Sequence, residues 1–208
     1  MIAIDSRLYD EYSALRLGGR PVPDDLRVLI AMQQNRVVKK RHYADPLEQL
    51  DVAIIMPQEN PSLLAGDYLT AKDMEDLGTR AKVWADREVF AHIGFVARLV
   101  DDNDELIGYW WHPDEAPGPP PLVRYDSEGQ FHLIRGATAT EALLIEISES
   151  LEHDEEEYEQ IRRWFAEDYS LAVAPYAQAR ELPWPTPAVS PQELNARLQR
   201  EEYGRLTS

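Results

Sequence analysis

The sequence predicts an α+β fold: an antiparallel sheet of about four or more strands flanked by helices, with a helical N-terminal region and a proline-rich C-terminal extension. Three observations predict it. Two pairs of strand-like runs follow one another between residues 93 and 135, each pair joined by a polar, turn-forming segment. Helical periodicities lie before and after these pairs rather than between them, so βαβ alternation is absent. Five prolines then crowd the stretch from Pro175 to Pro191. Apolar residues make up 44% of the 208 and charged residues 28%, enough to build a sizeable core.

Three regions follow along the chain. In the first, residues 1–66, Leu8, Tyr12 and Leu15 recur at helical spacing and Gly18-Gly19 supplies a stop. Pro23, Asp24 and Asp25 open a second helix faced by Leu26, Leu29, Ile30, Gln33 and Val37. The basic run Arg36, Lys39, Lys40 and Arg41 suits its C-terminal dipole.

The second region, residues 67–170, is the expected folded heart. Thr70 with Asp73 reads as a capping box opening a helix with Met74, Leu77, Ala81 and Trp84 on its inward face. Ile93–Val100 and Leu106–Trp111 form the first hairpin, and Pro121–Tyr125 and Gln130–Arg135 the second. Thr138 or Thr140 then caps one long helix carrying Leu143, Leu144, Ile147, Leu151, Tyr158, Ile161, Trp164 and Phe165 inward. The third region, residues 171–208, reads as a semi-rigid strap followed by a short helix. Ser190 is its N-cap, with Pro191 at the first helical position.

Several functions are disfavoured. The apolar run Val52–Met56 is far short of a membrane span, and no unbroken apolar run is longer; Met1–Asp5 does not resemble an export signal. No cysteine is present, which removes disulfides, thiolate metal sites and thiol nucleophiles and suits a reducing cytoplasm. His42, His92, His112, His132 and His153 form no metal-binding motif, and no nucleophile elbow or phosphate-binding glycine pattern occurs. No catalytic residue, metal or cofactor is therefore assigned.

Charge is the main functional clue. The formal net charge is −17, and residues 101–168 hold 19 acids against only 4 bases. Such a field repels nucleic acid and anionic membrane and draws in basic partners. Candidate contacts are Asp101, Asp102, Asp104 and Glu105 in the first hairpin, Trp111, Asp114 and Glu115 after it, and Glu152, Glu155, Glu156 and Glu159 on the acidic helix. Tyr109 and Trp111 should share one face of their strand and Trp110 the other, so that one tryptophan is core and its neighbour a possible contact.

The residues Leu106–Trp110, Pro121–Gly129 and Thr138 leading to Leu143-Leu144 resemble the SMI1/KNR4, or SUKH, superfamily. There a strand ending in tryptophan, a loop, a proline-led strand, an aspartate–glycine hairpin and a capped helix follow in this order. The resemblance implies a sheet flanked by helices, no catalysis, and an immunity protein that neutralises a bacterial toxin, often a nuclease. Two other readings are a regulatory or scaffolding module for a cellular protein, and a small hydrolase or carbohydrate-binding protein using Trp110 or Trp111 with carboxylates.

Overall fold

The computed structural model describes residues 6–35, 46–59, 69–100, 105–115 and 118–208. Helices α1 (Ser6–Arg16), α2 (Asp24–Asn35) and α3 (Pro46–Gln49) lead to a short strand, β1 (Val52–Ile54). A 3-10 turn (Asp73–Glu75) precedes α4 (Leu77–Phe90). Strands β2 (Ile93–Leu99), β3 (Leu106–Trp110), β4 (Leu122–Tyr125) and β5 (Phe131–Ile134) follow, then α5 (Ala139–Ser150), α6 (Glu155–Tyr169), α7 (Tyr176–Ala179) and α8 (Pro191–Thr207).

The five strands lie in chain order, each antiparallel to the next. The expected α+β class and both hairpins are present; β1 is an addition at the β2 edge. Its outer side is closed by a side chain: the Gln33 amide donates to Ile54 O at 2.6 Å and accepts from Ile54 N at 2.5 Å. A glutamine thus satisfies backbone groups that an edge strand otherwise leaves open.

Both faces of the sheet are covered. On one, Val96, Ile107, Tyr109 and Leu122 meet Tyr12 of α1, Leu26 and Ile30 of α2, Leu143 and Ile147 of α5, and Tyr158 and Phe165 of α6. On the other, Phe95, Trp110, Val123 and Tyr125 meet Val89 of α4 and Leu194 of α8. Strand β3 alternates between the two, because successive side chains point to opposite faces. Trp110 is accordingly fully buried while Trp111, two residues from Tyr109, packs partly exposed on the opposite face.

Four expectations about the helices need correction. Leu15 does not face inward but is 61% exposed. The buried stripe of α1 runs through Tyr12 toward Arg16, whose guanidinium donates to the Met56 and Pro57 carbonyls. Trp84 is likewise on the outer side of α4, because the inward stripe is Ala81, Ala85 and Val89. Thr70 and Asp73 do exchange hydrogen bonds, yet they open only the 3-10 turn; α4 is capped by Asp76, which accepts from Thr79 N at 2.7 Å.

The fourth correction concerns the acidic helix, which is two helices; Leu151, placed on its inward face by spacing, instead closes α5 and is 52% exposed. After α5, capped by Thr138, Glu152 takes a left-handed φ of 53° and the chain turns. Asp154 then restarts it: its carboxylate accepts from Glu157 N, and the Glu157 side chain accepts from Asp154 N. That reciprocal pair satisfies two amide donors at once and outcompetes continuation of α5.

The C-terminal strap packs on its own chain. It leaves α7, whose Ala179 lies in the first core, and delivers α8 to the second. Trp110 Nε1 donates to Val189 O at 2.9 Å, and Asn195 donates to the buried Asp86 carboxylate at 2.8 Å. Asp86 also accepts from Lys82 at 2.7 Å and from the Tyr125 hydroxyl at 3.0 Å, so the charge α8 helps to cover is fully partnered.

Candidate protein-binding surface

The acidic candidates divide into groups spent on the fold and groups offered to solvent. Glu105, at the start of β3, lies 3.4 Å from Arg124 NH1 on β4, and the same guanidinium nitrogen is 2.9 Å from Glu146 on α5. The three side chains are mostly buried and tie two strands to a helix. Burial pushes the Glu146 carboxyl up, with Arg124 opposing it.

Glu115 holds the tail. Its two oxygens accept from the amides of Ala188 and Val189, each at 3.1 Å. Glu159 does the same one layer away, accepting from Tyr176 N at 2.9 Å and Arg162 Nε at 2.7 Å. Burial alone would raise its carboxyl, but these hydrogen bonds and the two neighbouring arginines, Arg162 and Arg163, hold it below the usual range.

Trp111 is partly spent as well. Its ring stacks on Tyr109 at 5.3 Å and carries the Arg20 guanidinium 4.6 Å from its centroid. The ring lies across Gly94, where a Cβ would collide with the indole and with Arg16 O at 2.7 Å. Only glycine lets β2 and this indole approach so closely.

The groups offered to solvent are Asp114, Glu152, Glu155 and Glu156. Asp114 is three-quarters exposed, with its carboxylate 3.7 Å from His112 Nδ1. Glu152, Glu155 and Glu156 are exposed together at the junction of α5 and α6, beside the capping residues Asp154 and Glu157. The first turn of α6 explains how so many carboxylates gather there, because the positive end of the helix dipole offsets their mutual repulsion. Asp101, Asp102 and Asp104 lie outside the described residues.

One further feature was not anticipated. A pocket of about 380 Å³ opens between α5 and the strap, lined by Arg124, His132, Glu146, Glu149, Trp184 and Gln192 among others. Arg124 and His132 are directly opposed on β4 and β5, so they present one polar pair on the sheet face that α5 covers. His132 Nε2 is 2.6 Å from Asp126 Oδ2. Glu149 pairs with Arg135, whose guanidinium also lies 4.9 Å from the Trp184 ring centroid. Glu146 and Glu149, three apart on one helix, were the signal for it in the sequence; the walls contributed by Trp184 and Gln192 had none.

Among the described residues no group of three or more histidine, aspartate or glutamate side chains is arranged to hold a metal ion. No described helix is long and apolar enough to cross a membrane. Comparison with protein-family models, curated proteins and solved structures gives no match.

Proposed function

We propose that this chain is a non-catalytic binding protein of the immunity type, which captures a basic partner, a toxin enzyme acting on nucleic acid, and occludes it. The observation that carries the proposal is the exposed carboxylate group Glu152, Glu155 and Glu156 at the α5–α6 junction, set in a segment with 15 more acids than bases. Proteins that grip nucleic acid present basic clefts, and a concentrated opposite field complements such a surface and speeds encounter. The resemblance of residues 106–144 to the SMI1/KNR4 superfamily points the same way.

The acidic surface has a reduced membership in this reading. Glu105, Glu115 and Glu159 support the scaffold, and Asp114 and the junction carboxylates meet the partner. Immobilised chain exposed to lysate of its own source at low salt should retain a basic enzyme that elutes as salt rises, and adding free chain should suppress that enzyme's activity. Retention of nothing at low salt, or of an enzyme whose activity is untouched, would sink the proposal.

A further inference from the structure

The pocket beside Trp184 has a chemistry of its own. Four carboxylates, Glu105, Asp126, Glu146 and Glu149, surround it or pair with its lining, against the guanidinium groups of Arg124 and Arg135 and the His132 imidazole. The surplus is negative, so an anionic ligand is repelled and a cation is drawn in. Its volume lies in the lower part of the range of small-ligand sites, roughly 300–1,000 Å³.

Two walls narrow the cation further. The Trp184 indole is 58% exposed although the Arg135 guanidinium lies against it. The Glu149 side chain remains 44% exposed while its Oε1 accepts from Arg135. An aromatic plate next to an accessible carboxylate suits a flat, forked donor better than a point charge: the guanidinium stacks on the ring and directs its N–H groups to the oxygens. Glu149 lies in the last turn of α5, three residues before Glu152 of the exposed acidic junction.

We infer that this pocket receives an arginine side chain of the basic partner, with Trp184 as its stacking wall and Glu149 as its carboxylate. The inference rests on the partner reading above and adds the anchor that general charge attraction lacks. Desolvated arginine anchors seated in pockets are where binding energy concentrates in interfaces.

The test uses the purified full chain and N-acetyl-arginine N-methylamide, titrated calorimetrically. N-acetyl-citrulline N-methylamide serves as the uncharged isostere and methyl glucoside as a neutral polyol. Saturable binding of the arginine derivative is expected, with the citrulline derivative weaker by about tenfold or more. Trp184→Ala removes no charge, yet should weaken binding by about 3- to 10-fold, and Trp184→Phe should retain most of it. Glu149→Gln should also weaken it, with a melting curve checking that the Arg135 contact still holds the fold.

No saturation by the arginine derivative, equal affinity for citrulline, tighter binding of the glucoside, or unchanged affinity in Trp184→Ala would each overturn the inference. If the pocket takes the probe but no basic protein is captured, the partner reading fails and the pocket stands. If capture succeeds and the probe does not bind, the pocket is removed and the partner reading stands.

Discussion

Glu115 shows most clearly how a surface acid is converted into a structural one. Sequence position placed it with Trp111 and Asp114 as a contact, but its oxygens close the amides of Ala188 and Val189, more than seventy residues away. Glu115→Ala leaves both donors to water and to each other's mobility, and should cost about 1–3 kcal/mol in urea unfolding. A loss below about 0.5 kcal/mol would mean that the strap is held by other contacts. The long sequence separation is why local reading missed it: nothing near Glu115 announces its partner.

Asp126 makes the corresponding argument for pH. Burial acts to raise its carboxyl, yet the amides of Gln130 and Glu128 and the His132 ring hold it below its ordinary 3.8. A carboxyl depressed in the folded state binds its proton less readily there than when unfolded. Its contribution to stability is therefore complete above 3.8 and is lost as pH falls through the folded value. His132→Ala should move the Asp126 titration upward in a carbon-13 NMR series. A titration that stays in place would show that the backbone amides alone set it.

At the scale of elements, the hairpins were legible because their signals are local. The Asp126–Gly129 turn combines an aspartate accepting from the Glu128 and Gln130 amides with a glycine at φ 74°. β1 was not legible, since it spans three residues and pairs with a strand some forty positions on. The break between α5 and α6 lies in between. Apolar spacing runs across it, but Asp154 followed by Glu157 is a capping signature visible in the sequence. The apolar run Val52–Met56 and the helix start at Ser190-Pro191 are both visible in the sequence; what they pack against is not.

Helix α8 ties the strap to the domain, because it covers Trp110 and bounds the pocket through Gln192. Leu194, 5% exposed, is its main apolar insertion into that core. Leu194→Ala should cost about 2–4 kcal/mol from lost transfer energy and the cavity left behind. Equilibrium unfolding with an unchanged denaturant slope is the appropriate readout. A cost under about 1 kcal/mol would indicate that α8 is loosely held.

Across the whole molecule, charge and fold play separate parts. Composition showed that negative charge concentrates in residues 101–168, and that segment does contain the exposed junction. Composition did not show how many of those acids serve the chain itself: Glu115, Glu141 and Glu159 accept from amides, and Glu105 and Glu146 pair with a guanidinium, all brought near by folding. What remains exposed is a smaller, more localised group around Glu152, Glu155 and Glu156, the surface assigned to the proposed partner. A field of this kind acts chiefly on the rate of encounter, and salt screens it over about 8–10 Å at 0.10–0.15 M.

The most direct measurement compares capture by the native chain and by the variant Glu152→Lys/Glu155→Lys/Glu156→Lys, each followed from low to high salt. The variant should keep its melting temperature to within a few degrees, lose most of the partner bound at low salt, and show a flatter salt dependence. Equal retention by the two proteins, with the same salt dependence, would contradict the claim that this acidic junction is the binding surface.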